Sequence, residues 1–192
     1  MAYAREVSTT TEEFQSTLGA AKAGAEWAWA QLYRDLAGTV TGYLRARGAA
    51  DPEDVASETF LQIARNIGSF EGDHESFRSW VFVIAHRRLL DSRRASGRRP
   101  KTVSNDARLT LLPDSQQVDE EAIGHISTSD IEALFAKLTE DQRDVLALRI
   151  IGDLTVEQTA AALGKGLGAV KALQRRALAS IKRAMAEGGV PV

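Results

Sequence analysis

The sequence has no cysteine, which excludes disulfide bonds, thiolate metal sites and cysteine nucleophiles. No apolar run is long enough to cross a bilayer, and the N-terminus lacks the basic-then-apolar order of a signal peptide. These absences predict a cytoplasmic protein with no membrane insertion. The three histidines, His74, His86 and His125, are too scattered to suggest a set of metal ligands.

The usual signatures of catalysis are also missing. The glycines of GKGLG at 164–168 lack the spacing of a phosphate-binding loop and the Lys-Ser/Thr that would follow it. Glu53 and Asp54 stand at the start of a predicted helix, where the helix dipole favours acids without any catalytic role. The sequence therefore predicts no enzyme, no metal and no cofactor. An alternative from another functional class is a helical enzyme or adaptor protein in which the basic helix faces have no role in binding.

The formal net charge is small, at -2, but the charges are strongly segregated along the chain. Acidic residues concentrate in 51–75 and 102–132, and basic residues concentrate in 76–101 and 165–183. Two basic segments far apart in sequence, each on a predicted helix, favour two contacts on one polyanion. The alternative is a pair of solvated helix faces.

Helical periodicity dominates the chain, and no convincing strand alternation is present, so the fold class is predicted to be all-α. We divide the chain into a loose leader (1–19), a helical domain (20–100), a flexible acidic linker (101–129) and a smaller helical domain (130–187). In the first domain, helices are expected over 25–47, 52–67 and about 76–94. The aromatic residues Phe77 and Trp80 fall on the apolar stripe of the third helix and are expected in the core.

The C-terminal domain carries the local signals of a helix-turn-helix. Thr139 with Gln142, and Thr155 with Gln158, are capping-box patterns that open helices. Gly164 can supply the left-handed conformation that ends the second of these helices. A last helix is predicted from about 168 to 186, and residues 165–186 include no acid.

Two longer stretches carry a family resemblance. Residues 51–94, DPEDVASETFLQIARNIGSFEGDHESFRSWVFVIAHRRLLDSRR, resemble the second conserved region of bacterial RNA polymerase sigma factors of the extracytoplasmic-function (ECF) type. Residues 138–183, LTEDQRDVLALRIIGDLTVEQTAAALGKGLGAVKALQRRALASIKR, resemble their fourth region. The two stretches stand in the family's order and are separated by a linker of suitable length.

The resemblance implies a transcription initiation factor whose partners are core RNA polymerase, promoter DNA and an anti-sigma factor. It places the polymerase contact on the helix expected over 52–67, at Asp54, Ser57, Glu58 and Phe60. It places the downstream promoter element and DNA melting on the basic helix and the loop before it, at His74, Arg78, Arg87, Arg88, Arg93 and Arg94. It places the upstream element on the last helix, at Lys171, Ala172, Gln174, Arg175 and Arg176.

One point of register stays open in the last helix. Either Leu173 joins the core and Gln174 turns toward DNA, or the helix is slightly rotated. A rival function also stays open: a helix-turn-helix DNA-binding regulator that does not engage polymerase.

Overall fold

The computed structural model describes residues 11–98 and 134–187, and all regular structure in these ranges is helical. The N-terminal part holds α1 (Thr11–Lys22), α2 (Glu26–Ala46), α3 (Pro52–Asn66), a 3₁₀ turn (Ile67–Ser69) and α4 (His74–Arg98). The C-terminal part holds α5 (Glu140–Leu146), which widens into a π-helical turn (Ala147–Ile151), then α6 (Val156–Leu163) and α7 (Leu167–Glu187). Residues 134–136 are also helical. The all-α prediction is therefore confirmed.

Helix α1 corrects the prediction of a loose leader over residues 1–19. From Thr11 onward the chain is helical, and its buried residues are Phe14, Thr17, Leu18 and Ala21. These residues follow the i, i+3, i+4, i+7 spacing of one helix face, which packs on α2. The polar, Thr-rich composition of the segment concealed this spacing. Residues 1–10 lie outside the described ranges.

Local capping signals set the ends of α3 and α4. Asp51 accepts a hydrogen bond from the amide of Asp54 at 2.9 Å, and Pro52 occupies the first helical position, as predicted. Helix α4 begins two residues earlier than predicted, since Asp73 accepts from the amide of Ser76 at 2.8 Å. Hydrogen bonds from the Ser76 hydroxyl and amide hold the pKa of Asp73 below its ordinary value.

The C-terminal helices are fixed by the predicted caps and by a small core of their own. Both capping boxes are present, at Thr139 and at Thr155. Gly164 adopts the left-handed conformation, with φ of 62°, and ends α6. The side chains that join α5, α6 and α7 are Val145, Ala160 and Val170, with Val156, Leu163 and Leu173 packed against them.

The two helical groups are packed against each other. One buried cluster runs from Tyr43, Leu44 and Leu89 of the N-terminal helices to Leu146 and Leu148 of the C-terminal ones. We call residues 11–98 the N-terminal domain and residues 134–187 the C-terminal domain. The predicted linker over 101–129 lies outside the described residues, so our domain limits there stay a prediction.

Candidate nucleic-acid interfaces

Helix α7 presents a basic face to solvent. Its buried residues Val170, Ala177 and Ala184 recur every seven positions, so they form one stripe against the domain. The exposed cations of the helix are Lys171, Arg175, Arg176, Lys182 and Arg183. Within the described residues, Lys171 and Arg175 have no acid within ion-pair distance. This face can therefore offer its charge to a polyanion without first breaking an ion pair.

The turn before α7 fixes the direction of that helix. The amide of Lys165 donates to the carbonyl of Ala160 at 3.0 Å, as expected after a left-handed Gly164. The ammonium of Lys165 lies 3.1 Å from Asp141 of α5, which ties the turn to the first helix of the domain. The arrangement of α6, tight turn and α7 matches the predicted helix-turn-helix.

The sequence left two alternatives for α7: either Leu173 lies in the core and Gln174 faces DNA, or the helix is slightly rotated. The observed register is intermediate between them. Leu173 packs against the small core, as the first alternative requires. Ala172 and Gln174 are each half-buried, so Gln174 points only partly outward. Lys171 and Arg175, four residues apart and both exposed, define the face that is available to DNA.

The six residues predicted for the downstream element do not form one surface. Arg87 and Arg94 are exposed and lie two helical turns apart on α4, so they share a face. Arg94 makes one contact there, an ion pair with Asp91 of the same helix at 3.1 Å. His74 packs edge-on against the ring of Phe14, with the ring centroids 5.3 Å apart.

The other three arginines of this set are engaged elsewhere. Arg88 donates from Nε to the side-chain oxygen of Gln62 on α3, at 2.6 Å. Arg78 donates from Nε to the carbonyl of Gly152 in the C-terminal domain, at 2.7 Å. Arg93 also reaches that domain, where its Nη1 lies 2.7 Å from a carboxylate oxygen of Glu140. In this conformation only part of the predicted downstream surface is free.

The aromatic residues of α4 lie in the core, as predicted. Phe77 is buried, and Trp80 is half-buried and stacked on Phe70, with ring centroids 5.0 Å apart. Phe70 precedes α4 and also meets Phe77 edge-on at 5.2 Å. The cluster fixes the loop that leads into the basic helix.

Helix α3 presents the residues predicted for the polymerase contact, with one exception. Asp54, Ser57 and Glu58 are exposed, whereas Phe60 is only 9% exposed and belongs to the core. Leu61, which the sequence reading did not select, is 57% exposed. It follows Asp54 by seven residues and Glu58 by three, so helical spacing alone could have identified it.

A buried ionic cluster joins the two domains, and the sequence reading missed it. Arg47, at the C-terminal end of α2, has a fully buried side chain that pairs with the carboxylate of Asp144 on α5. His86 of α4 lies beside this pair, with Nδ1 3.7 Å from Asp144 Oδ1. The same Nδ1 lies 2.9 Å from the hydroxyl oxygen of Tyr43 and shares a hydrogen bond with it.

Burial governs the protonation of this cluster. It lowers the pKa of His86, although the Asp144 carboxylate acts in the opposite direction. Burial likewise raises the pKa of Asp144, and Arg47 opposes that shift. Burial and the Asp144 charge together raise the pKa of Tyr43. Burial thus favours the neutral form of His86 beside an ion pair that spans the domains.

Two other kinds of site have simple geometric requirements within residues 11–98 and 134–187: a metal site needs clustered metal-binding side chains, and a membrane span needs a helix of sufficient apolar length. No group of histidines and carboxylates in these ranges is arranged to hold a metal ion. None of the helices described there combines the length and apolar character needed to cross a membrane.

Two family models match the chain. Sigma-70 region 2 matches residues 29–99, and Sigma-70, region 4 matches residues 134–183. The first match contains α3, α4 and most of α2, and the second contains α5, α6 and most of α7.

Curated relatives point the same way. The ECF RNA polymerase sigma factor ShbA of Streptomyces griseus is 34% identical over 137 residues, which cover 70% of this chain and 71% of ShbA. The ECF RNA polymerase sigma factor BldN of Streptomyces coelicolor is 30% identical over 165 residues, 85% of this chain. The chain spans only 62% of the length of BldN. A solved structure with the same fold is the sigma factor RpoE of Bartonella quintana in complex with the anti-sigma factor NepR (TM-score 0.62, 19% identity, covering 80% of this chain and 93% of RpoE).

Proposed function

Because the chain belongs to the ECF RNA polymerase sigma factors, we propose that it binds core RNA polymerase in the cytoplasm and directs it to a two-part promoter. It acts by binding and by helping to open DNA, without covalent chemistry or a cofactor. One observation carries the proposal beyond family membership. The chain combines a basic helix-turn-helix face, α7, with a separate acidic and apolar helix face, α3.

The α3 face supports a protein contact rather than a DNA contact. Asp54 and Glu58 make it acidic, and the exposed Leu61 adds apolar surface. Tyr33 of α2 is 48% exposed and packs edge-on against Phe60, with ring centroids 4.7 Å apart, so it extends the apolar part. Acidic charge repels DNA, while an apolar patch inside a polar rim is typical of protein interfaces. We assign this face to core RNA polymerase.

The α7 face supports the upstream contact. Lys171 and Arg175 are free of ion pairs among the described residues and stand on one side of a helix that follows a tight turn. Helices of this kind place such side chains against base edges in the major groove. Arg176 lies beside them, where a contact with the flanking phosphates is expected.

The downstream contact rests on α4. Arg87 and Arg94 are its exposed cations and are expected to meet phosphates or the separated strand. His74, Arg78, Arg88 and Arg93 belong to this contact only as far as their present partners release them.

Regulation by an anti-sigma factor is the last part of the proposal. The Bartonella RpoE structure is of a complex with an anti-sigma factor. A protein that covered the α3 face or the α7 face of this chain would block polymerase or promoter binding.

The deciding experiment is run-off transcription with purified core polymerase and genomic DNA fragments. We expect transcripts that depend on the protein and start at defined promoters. DNA shifts by the protein alone, without any promoter-dependent transcript, would instead identify a regulator that does not engage polymerase.

A variant pair tests the α3 face within the same assay. Glu58→Lys combined with Leu61→Ser reverses a charge and removes apolar surface from exposed positions, so the chain should stay folded and lose affinity for core polymerase. Phe60 is unsuitable for this test because it lies in the core. Glu12→Lys, an exposed charge reversal on α1, is the control. Equal polymerase affinity of the double variant and the control would contradict the assignment.

A further inference from the structure

We propose that Arg47 joins Arg93 in a phosphate-binding site that extends the downstream DNA contact of the N-terminal domain, and that Glu140 and Asp144 of the C-terminal domain occupy this site until the domains separate. The proposal rests on the proposed function, since it names a further DNA contact of the same protein. On this proposal, the carboxylates of the C-terminal domain and the phosphates of DNA compete for the same two guanidinium groups.

The chemistry of the contact is that of a guanidinium binding site for an anion. The Arg47 guanidinium pairs with the Asp144 carboxylate, and the Arg93 guanidinium contacts Glu140 at 2.7 Å. Arg47 Nη2 lies 3.9 Å from the same Glu140 oxygen that Arg93 contacts, so both guanidinium groups face one carboxylate. Arg93 also donates from Nη2 to the backbone carbonyl of Arg47. Planar guanidinium groups bind carboxylate and phosphate oxygens through the same donor geometry. A phosphate can therefore replace either carboxylate at this surface.

The position of the site fits a DNA contact. Arg93 is adjacent in sequence to Arg94, an exposed cation of the proposed downstream surface. Arg47 lies within hydrogen-bonding reach of Arg93, so the site extends the basic half of α4 toward the end of α2. When the domains are together, the charges of Arg47 and Arg93 are opposed by those of Glu140 and Asp144. Separation leaves the cations on the N-terminal domain and the carboxylates on the C-terminal one.

The closed arrangement leaves Arg47 incompletely satisfied. Its side chain is 0% exposed, and its Nε and Nη1 atoms have no acceptor among the described residues. A buried charge whose donors lack acceptors loses hydration that the ion pair only partly replaces. Exposure to water or to phosphate oxygens restores those hydrogen bonds. The hydrogen bonds that Arg47 gains on exposure favour separation of the domains, whereas the apolar contacts between the domains oppose it. A competing anion that binds Arg47 can therefore promote separation.

The chain between the domains permits separation. Residues 99–133 number 35 (133 − 99 + 1), and a segment of that length can span up to roughly 120 Å when fully extended. Covalent connection therefore does not force the two domains to remain in contact.

Domain separation can be measured directly because the chain has no cysteine of its own. Ala64→Cys on α3 and Ala179→Cys on α7 are exposed positions for a pair of fluorescent dyes. We expect efficient energy transfer in the free protein and lower transfer when Glu140→Gln and Asp144→Asn are introduced together. The control variant, Asp153→Asn with Glu157→Gln, makes the same charge change at exposed positions of the C-terminal domain and should keep the transfer high. Equal energy transfer in the two variants would show that Glu140 and Asp144 do not hold the domains together, and would overturn this part of the proposal.

Phosphate binding is tested by the salt dependence of affinity for a labelled DNA duplex of mixed sequence. Each phosphate contact contributes about 0.9 to the slope of log affinity against log salt concentration. In the Glu140→Gln/Asp144→Asn chain, adding Arg47→Gln should flatten the slope by about one phosphate contact. Arg34→Gln, an exposed position on the same helix α2, should not. Equal slopes for the Arg47 and Arg34 variants would overturn the site.

Two features keep these outcomes interpretable. Arg47→Gln is made only together with Asp144→Asn, so no unpaired charge is left buried, and the helical content of each variant is checked by circular dichroism. The duplex titrations contain no polymerase, whereas the proposed function is tested by transcription with core enzyme. If the protein gave no promoter-dependent transcript but Arg47→Gln still flattened the salt slope, the proposed function would be overturned. If the protein gave transcripts but the Arg47 and Arg34 variants had equal slopes, only this site would be overturned.

Discussion

Replacing Phe14 with alanine tests whether α1 is a true part of the N-terminal domain. The Phe14 ring is 1% exposed and packs against the rings of Phe77, at 5.6 Å, and His74, at 5.3 Å. An aromatic side chain of this kind buries roughly 150–250 Å². At about 25 cal/mol per Å², full burial is worth about 4 to 6 kcal/mol, and alanine keeps part of that area.

The expected loss lies toward the lower end of the usual range. Phenylalanine-to-alanine changes in cores lower the free energy of unfolding by about 3 to 5 kcal/mol, and less where the surroundings can collapse into the cavity. In the described residues α1 is the terminal helix and packs mainly on α2 and the 3₁₀ turn, so it can shift to fill the space. We therefore expect Phe14→Ala to lower the free energy of unfolding by about 3 kcal/mol.

The assay is urea unfolding followed by far-UV circular dichroism, combined with amide hydrogen exchange of α1. Ser16→Ala, an exposed position on the same helix, is the matched control and should change the free energy of unfolding by less than about 0.5 kcal/mol. If α1 detaches locally, its amides should exchange faster even where the global midpoint moves little. A loss below about 1 kcal/mol together with unchanged protection of α1 would refute the packing argument.

Three further changes probe other parts of the molecule. Burial lowers the pKa of His86 in the folded state, so this group stabilises the fold above its unfolded pKa of about 6.5, and the contribution is lost as the pH falls toward the folded value. Below pH 6.5, His86→Gln should remove a pH dependence of the free energy of unfolding of at most about 1.4 kcal/mol per pH unit, as measured by unfolding titrations. Parallel curves of this free energy against pH for variant and wild type would contradict this. Gly152→Ala would place a Cβ 2.6 Å from a backbone oxygen of the π-helical turn, so it should lower the free energy of unfolding by about 1 to 3 kcal/mol, as measured by thermal unfolding. Gly166→Ala is the control, because the space around Gly166 is open, and should not cause this loss. Lys22→Met removes the hydrogen bond from the ammonium to the carbonyl of Phe70 at 2.5 Å and should lower stability by on the order of 1 kcal/mol, with faster hydrogen exchange in residues 70–73; unchanged exchange there would argue against it.

The elements that could be predicted are those specified by nearby residues. The cap at Asp51, the capping boxes at Thr139 and Thr155 and the left-handed Gly164 each depend on a few neighbouring positions. Each satisfies free backbone groups at a helix end, and the same chemistry applies wherever that local pattern occurs. These signals mark the start of α3 and α5 and both ends of α6, and the helix-turn-helix prediction followed from those at α6.

The buried role of Arg47 could not be predicted in this way. An arginine at the end of a helix, just before a glycine, is the usual pattern of a solvated cation that interacts with the helix dipole. Its burial depends on Asp144, which is 97 positions later in the chain (144 − 47) and belongs to the other domain. Arg88 is similar, because its hydrogen bond to Gln62 follows from how α3 and α4 pack. Charge patterning identified the basic helix, but only tertiary packing shows which of its cations are free.

The two basic helices therefore differ in how readily they can meet DNA. Lys171 and Arg175 on α7 face solvent without an acidic partner among the described residues, so a polyanion can approach them without breaking an existing contact. Arg78 and Arg93 on α4 are bonded to the C-terminal domain, and any phosphate must first displace those bonds. On the proposed function, the upstream contact is then available while the domains are in contact, and the full downstream contact becomes available only when the domains separate. A basic surface that is complete only after the domains separate would limit stable binding of the closed protein to DNA, because the affinity for a polyanion falls with each phosphate contact that is withheld.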